Sequence, residues 1–337
     1  MNLNFNDIKM KLTPTFILIA LFFLSSKKVI SQDLHYSNVL KSTPIYSIGS
    51  IGSDEAYVRA TSLYRNQWPT VGKSFTTYGL NVDGKIDLNN KNSLGLGFIS
   101  NRDQAGDLSL TKLQVEVAVV YSQQITRQSY LSGGIQGGFI QHSIDGTEAK
   151  WQNQINGKEF NPTISSGEEP FFQPFMNYTL GAGLRWRYAN NQNQSGGLSN
   201  VQFGVSMYHM ANSSIDYLSS EKDKVRVVFS GSSSISLNQS KIEPAFVYQQ
   251  KGKETEFVIG AMYKYIILRG SRQKSYSDGI DISAGAFFRL PNDAIIPTVN
   301  FSYENFTIGI AYDINISPLM QASNSIGGIE FCLQFVW

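Results

Sequence analysis

Residue types that carry acid–base or metal chemistry are few in this sequence. The three histidines are His35, His142 and His209, and none has the HxH or HExxH spacing of metal sites. His142 adjoins Ser143, a pair that could suggest a nucleophile and its base. Because adjacent residues of a strand point to opposite faces, these two side chains cannot act together. The sequence therefore predicts no enzyme, no metal site and no cofactor.

Two glycine-rich stretches resemble pieces of phosphate-binding loops, Gly133-Gly134 and Gly181-Ala182-Gly183. No helix start follows either stretch, although a phosphate loop places its anion at a helix N-terminus. We expect these glycines to make room for crowded side chains or to bend a sheet. Cys332 is the only cysteine, which excludes an internal disulfide and a Cys-based zinc site.

Charged residues are more informative, because most of them share the parity of polar residues in alternating segments. They are Arg59, Arg65, Lys112, Glu116, Arg185, Arg187, Glu243, Glu256, Lys264, Asp281 and Arg289. One interpretation is an internal network that makes a barrel wall rigid. The other is a pathway or docking surface for a ligand or peptide, with Arg185 and Arg187 among the candidates.

The segments that must position these residues alternate between apolar and polar side chains, as strands with two different faces do. The final segment shows this pattern without interruption: its apolar row is Ile329, Phe331, Leu333, Phe335 and Trp337. One alternative is a core strand of a soluble sandwich, whose exposed face is usually charged. Here the polar rows are rich in Gly, Ser, Asn and Gln, which is typical of a crowded, wet barrel lumen.

An all-β outer-membrane barrel of about fourteen antiparallel strands is therefore predicted over residues 57–337. After residue 31 no apolar run approaches the roughly 18 residues of a membrane helix, so a membrane protein of this sequence must be a barrel. The strand at Phe331 is expected to pair with the strand at Leu63. The predicted strand centres are Leu63, Leu80, Leu96, Val117, Ile135, Leu180, Val205, Phe229, Phe246, Ala261, Ala284, Val299, Ile310 and Phe331.

The connections support this topology if both termini face the periplasm. Tight turns at 89–91, 125–127, 238–240 and 304–305 then share the periplasmic side, and the long connection 143–174 lies outside. Two connections on the periplasmic side, 189–199 and 269–278, are longer than such turns usually are. The connection 143–174 contains four aromatic residues, Trp151, Phe160, Phe171 and Phe172. Exposing aromatic side chains of a loop to water is unfavourable in free energy unless they cover the barrel mouth or contact a partner.

The first 31 residues read as a secretory signal peptide. Lys9 and Lys11 precede the apolar run 16–24, and cleavage is expected before Gln32. Residues 32–56 form a lead-in segment ahead of the barrel. The 337-residue chain is 16% charged, against about 25% for a typical soluble domain. Removing residues 1–31 leaves a formal charge of −1, so nothing favours nucleic acid as a partner.

Phe335 and Trp337 at the end of the sequence are expected to lie in the interfacial aromatic girdle. We interpret them as a C-terminal signal for assembly into the outer membrane.

Three motifs resemble the PorP/SprF family of type IX secretion system outer-membrane proteins. They are Pro44-Ile45-Tyr46, then Leu63-Tyr64-Arg65-Asn66-Gln67-Trp68, then Leu94-Gly95-Leu96-Gly97. The family usually has Asn before the proline and Ala after it, where this sequence has Thr43 and Ile45. The resemblance implies a barrel strand whose Arg65 and Gln67 point inward while Tyr64 and Trp68 face lipid.

The resemblance also implies a function without catalysis. Members of this family help particular secreted proteins reach the cell surface or stay there. In gliding bacteria the cargo is a large adhesin with a C-terminal sorting domain, and other members join further secretion components. The alternative is a porin-like channel for small solutes. A lumen plugged by residues 33–56 or by side chains favours docking, whereas an open, charged constriction favours transport.

Overall fold

The computed structural model describes residues 35–337 except 53–55, 71–72, 107, 146–150, 157–158, 162, 166, 168–173, 191–196, 212–221, 269–278, 291–292 and 318–324. Fourteen antiparallel strands close into one barrel, which confirms the predicted fold class and strand number. The predicted signal peptide lies outside the described residues. All fourteen predicted strand centres lie within barrel strands.

The barrel strands follow one another around the wall in chain order. They are β1 (Val58–Gln67), β2 (Phe75–Asp87), β3 (Asn92–Ala105), β4 (Leu110–Gln124), β5 (Ser129–Ser143), β8 (Phe175–Ala189), β9 (Gly197–Tyr208), β10 (Arg226–Leu237), β11 (Ser240–Lys251), β12 (Glu254–Leu268), β13 (Ile280–Leu290), β14 (Ala294–Tyr303), β15 (Phe306–Asn315) and β16 (Ile326–Val336). A separate two-stranded ribbon, β6 (Ile155–Asn156) with β7 (Glu159–Phe160), lies in the connection from β5 to β8.

Alternation places the apolar rows outside and the polar rows inside, as predicted. In β8, Tyr178 is 77% exposed and Leu184 is exposed, whereas Thr179 and Arg185 are buried. In β16, Leu333 is 49% exposed and its neighbour Cys332 is buried. An apolar exterior around a polar interior is the arrangement that a barrel in lipid requires.

The barrel closes through β1 and β16, which confirms the predicted pairing. Leu63 lies opposite Cys332 and Arg65 lies opposite Glu330. The ladder continues to the last residue, since the Val58 N–H donates to the Trp337 carbonyl at 2.9 Å and the Trp337 N–H donates back at 2.8 Å. Every strand therefore has two neighbours, and the wall has no free edge.

The barrel has two unlike ends. We call the end that carries Val58 and Trp337 the terminal end, and the other the loop end. The tight turns predicted at 89–91, 125–127, 238–240 and 304–305 all lie at the terminal end, and the connection 144–174 leaves from the loop end. Strands β3, β4, β5, β8 and β12 have 14 or 15 residues. Because about 9–11 residues cross the hydrocarbon, these strands extend beyond it into the interfaces.

Replacing Trp337 with aspartate should sharply lower the amount of barrel in the membrane. Trp337 packs its ring 6.5 Å from the ring of Tyr57 at the terminal end. A charge at this depth costs only about 0–1 kcal/mol, too little to prevent folding. A large loss in membrane fractions at unchanged transcript level would therefore reflect failed recognition during assembly. Normal membrane levels of Trp337→Asp would refute the signal role of this residue.

Residues 35–52, which we call the plug, lie inside the barrel rather than ahead of it. The plug contains a four-residue helix, α1 (Thr43–Tyr46), and a short 3-10 turn, Ile48–Ser50. Tyr36, Ile48 and Ile51 are almost completely buried. The plug contacts inward-facing residues of strands all around the wall, from Asp83 on β2 to Glu330 on β16. The core of the molecule is thus the lumen itself.

Candidate functional site: the plug and its seat in the lumen

The first part of the plug is held by the carboxylate of Glu330, which is 1% exposed on β16. The Ser37 N–H donates to Oε2 at 2.6 Å and the Asn38 N–H donates to Oε1 at 2.9 Å. Asn38 also donates through Nδ2 to Oδ1 of Asn300 on β14, at 2.7 Å. Charge-assisted hydrogen bonds to backbone N–H groups are among the stronger ones in proteins. One wall carboxylate therefore fixes the position of two successive plug residues.

Two arginines and an aspartate of the wall surround the Ser37 hydroxyl. Arg65 donates through Nη2 to Oδ2 of Asp313 at 2.6 Å, and Arg289 donates through Nη1 to the same oxygen at 2.8 Å. The Ser37 hydroxyl donates to Oδ1 of Asp313 at 2.5 Å and accepts from Arg65 and from Arg289. Arg65 also lies 3.3 Å from Glu330 Oε2. Residues of β1, β13, β15 and β16 thus converge on one serine.

Burial shifts the pKa values of two titratable groups of the plug. Burial lowers the pKa of the His35 imidazole, with Arg289 and Arg65 adding to the decrease and Glu256 opposing it. Burial also lowers the pKa of Lys41 to about 8. Around Ser37 and Asn38 the charged groups belong to the wall, and these two plug residues contribute N–H, hydroxyl and amide groups.

Helix α1 fixes the fold of the plug. Pro44 lies in its first turn, where a missing N–H costs nothing. The Tyr46 hydroxyl accepts from the Tyr36 N–H at 2.7 Å and donates to the Tyr36 carbonyl at 2.9 Å. The Tyr36 hydroxyl in turn donates to Asn101 of β3 at 2.9 Å. The Pro-Ile-Tyr motif therefore joins the two halves of the plug.

The end of the plug meets the wall at the Leu-Gly-Xaa-Gly motif of β3. The Gly52 N–H donates to Oδ2 of Asp83 at 2.8 Å, and Arg59 pairs with the same carboxylate at 2.9 Å. Gly52 has φ +57°, and a Cβ there would lie 2.4 Å from the Gly84 carbonyl oxygen. A Cβ on Gly95 would lie 2.2 Å from the Ile51 carbonyl oxygen. Both positions require glycine because two backbones approach each other here.

The residues of the Tyr64–Trp68 motif divide between the two faces of the wall. Tyr64 packs outward against Tyr78 and Phe331, with ring centroids 5.2 and 6.4 Å away. Arg65 is 1% exposed and faces the plug. The remaining three lie near the loop end: Asn66 donates to Ser74, Gln67 lies opposite Gly328, and Trp68 packs edge-on against Phe75.

Arg185 and Arg187 lie in the lumen but do not share the Arg65 cluster. A Cβ on Gly49 of the plug would lie 2.8 Å from the Arg185 Cβ, so the two are in close contact. Arg185 also donates to Gln202 of β9. Arg187 stacks over the Tyr130 ring at 4.6 Å. Both interactions fit a wall and plug-packing role, and so does Gly183, which lies against Ile48.

The connection from β5 to β8 is described in part. Trp151 precedes a 3-10 turn, and Phe160 is exposed in β7. Phe171 and Phe172 lie outside the described residues. Phe335 packs against Phe306 with ring centroids 5.0 Å apart, near the terminal end.

Sequence reasoning missed the acidic partners of the plug, Asp83, Asp313 and Glu330. Each lies on the inward parity of its strand, so parity alone could have marked them as lumenal. What parity could not give is the distance of Asp313 and Glu330 from Arg65, which depends on barrel closure. Ser37 and Asn38 carried no signal, because the segment around them has no period.

Within the described part of the chain, no group of three or more His, Cys, Asp and Glu side chains could hold a metal ion. His142 and Ser143 point to opposite faces of β5, as predicted. Among the described residues, no helix is long and apolar enough to cross a membrane.

Comparisons with known proteins identify a family. A family model described as "Type IX secretion system membrane protein PorP/SprF" matches residues 29–335. Among curated proteins no sequence matches this chain.

Solved structures show weak similarity. CdiB from Acinetobacter baumannii has 8% identity and a TM-score of 0.40, covering 83% of this chain and 60% of its own. This chain thus spans less than two thirds of CdiB. Salmonella typhi OmpF in complex with daunomycin has 10% identity and a TM-score of 0.38, covering 83% of this chain and 97% of its own.

Proposed function

This chain belongs to the PorP/SprF family of type IX secretion system membrane proteins, and we propose that it is an accessory outer-membrane barrel that docks secreted cargo. It reaches the membrane by way of the signal peptide over residues 1–31 and has no catalytic role. Its partners are outer-membrane lipid, other secretion components and a cargo protein with a C-terminal sorting domain. The termini face the periplasm, and the loop end faces outward.

The plug is the observation that carries this proposal. A porin needs a continuous water path, whereas residues 35–52 fill the lumen and are tied to the wall at both ends. One cavity between the plug and strands β8–β11 has a volume of about 30 Å³, room for about one or two water molecules. Filled in this way, the barrel supports attachment at its surface rather than passage of solutes through it.

The loop end is the proposed docking surface. Its β5–β8 connection carries the exposed Phe160 and the half-buried Trp151, with Ile155 exposed between them. Exposed aromatic and aliphatic side chains on a rigid support are typical anchors for a protein partner. The long strands β5 and β8 beneath this connection provide that support.

Trimming residues 151–167 should reduce retention of specific large surface proteins while the barrel still inserts. The reason is that the trimmed segment includes Trp151, Ile155 and Phe160 but no barrel strand. Surface proteomics of cells that carry the trimmed gene measures the effect. A matched control shortens the polar turn 252–253 between β11 and β12, at the same end.

Two outcomes would count against the proposal. Full cargo retention in the trimmed variant would exclude this connection as the docking surface. A gene deletion that leaves the surface proteome unchanged and lowers uptake of small solutes would favour the porin.

A further inference from the structure

The outward face of the wall changes from apolar to polar along one row of cross-strand neighbours. The row is Phe331, Tyr64, Tyr78, Arg102, Leu113 and Gln141, on β16, β1, β2, β3, β4 and β5. Tyrosines in such a row mark the level of the lipid headgroups, because their rings prefer lipid and their hydroxyls prefer water. Arg102 thus follows the tyrosines at that level.

A polar pocket opens beside this arginine near the loop end. The cavity measures about 330 Å³ and lies over the outward faces of β3, β4 and β5. Its polar lining consists of Arg102, Gln104, Ser109, Thr111, Gln141, Ser143 and Asp145. Gln104, Thr111 and Ser143 are direct cross-strand neighbours, so their amide and hydroxyl groups form a second row above the Arg102 row.

The Arg102 guanidinium has no hydrogen-bond or ion-pair partner among the residues that the structure describes. Other arginines of the barrel stack on rings or meet carboxylates, such as Arg187 on Tyr130 and Arg289 with Asp313. An exposed guanidinium suits a phosphate, which it binds with two parallel hydrogen bonds. Neighbouring amides and hydroxyls suit the hydroxyl groups of a sugar.

We infer that this pocket binds the phosphorylated sugar headgroup of a glycolipid in the outer leaflet. Three features favour a membrane lipid over a soluble ligand. The lining side chains share the outward parity of the apolar rows, the pocket adjoins the tyrosines of the girdle, and its volume fits about one or two sugar rings. Arg102 binds the phosphate, and Gln104, Thr111 and Gln141 bind the sugar.

This inference rests on the proposed outward position of the loop end. It is independent of cargo docking, because the side chains assigned to the ligand lie on strands β3, β4 and β5 and the docking surface lies in residues 151–167. If glycolipid binding fails and cargo retention is intact, only the glycolipid inference fails. If cargo retention fails its test and glycolipid binding is intact, only the docking proposal fails.

Purified, delipidated barrel in nanodiscs should bind diphosphorylated lipid A more tightly than Arg102→Gln does, by about 10-fold to 100-fold. Thr111→Val keeps the charge and removes a sugar contact, so it should weaken binding less. Arg127→Gln is the matched control, since Arg127 is an exposed arginine in a turn at the terminal end. Native mass spectrometry counts the bound glycolipid, and the melting temperature confirms that each variant is folded.

Equal glycolipid binding by the wild type and folded Arg102→Gln would overturn the inference. So would equal losses in Arg102→Gln and Arg127→Gln, which indicate nonspecific charge. Saturable binding of glucose-1-phosphate without any binding of lipid A would overturn the assignment to a membrane lipid. Loss of a co-purifying protein from Arg102→Gln with glycolipid binding intact would assign the pocket to a protein instead.

Discussion

Replacing Arg65 with methionine should lower the free energy of unfolding by about 3–5 kcal/mol and loosen the plug. Arg65 is 1% exposed, and its guanidinium contacts Asp313, Glu330 and Ser37. Without it, Arg289 is the remaining arginine of this cluster against two buried carboxylates. Uncompensated buried charge is the reason that removing one partner of a buried pair costs so much. Urea unfolding in lipid vesicles measures the loss.

The cysteine of the chain reports the plug directly in the same variant. Cys332 is buried in a cluster with Tyr36 and Ile45 of the plug and Leu63 of β1. Thiol alkylation should therefore be faster in Arg65→Met than in the wild type. Arg65→Lys retains the positive charge but loses the planar guanidinium that contacts two carboxylates at once. Its free energy of unfolding should therefore lie between those of the wild type and Arg65→Met.

Arg127→Met is the control for this series, because Arg127 is exposed to solvent in the turn between β4 and β5. If Arg65→Met matched Arg127→Met in both unfolding free energy and Cys332 alkylation, the cluster would not hold the plug.

Deleting residues 35–52 should convert a closed barrel into a conducting one. The inter-strand hydrogen bonds of the wall do not involve the plug, so the deletion variant should still insert. The emptied lumen is lined by Arg59, Asp83, Arg65, Asp313 and Glu330, which favour water and ions over a collapsed interior. Single-channel recordings in planar bilayers should show stepwise increases in current for the deletion variant and none for the wild type.

Gly95→Val tests the same closure without a deletion. The first added carbon would lie 2.2 Å from the Ile51 carbonyl oxygen, so the end of the plug must move. Leu96→Val, on the outward face of the same strand, is the matched control. Heat-modifiable mobility on gels shows which variants are folded. The role of the plug would be contradicted if the wild-type barrel gave conductance steps as large as those of the deletion variant. A folded deletion variant that does not conduct would contradict it as well.

The three motifs that resemble the family all meet at the plug. Tyr46 joins its two halves, Arg65 holds Ser37, and Gly95 makes room for Ile51. They lie within residues 44–97 and carry different chemistry. Each of them has a residue that contacts the plug or belongs to it.

The sequence by itself determined the wall of this protein. Alternation of apolar and polar residues is a local property with a period of two, so it showed where each strand lies and which face is outward. Leu333 outside, Cys332 inside and the fourteen strand centres followed from it, and the pairing of β1 with β16 followed from the closure that a barrel requires.

Only the tertiary structure decided what fills the lumen and which charges meet there. Arg65 contacts Asp313 across 248 positions of sequence and Glu330 across 265. Such distances depend on the register and stagger of the whole closed sheet, and a slip of one residue in any pair would turn a strand's side chains to the other face. The plug has no periodic pattern, so its place became visible only once the wall around it was closed.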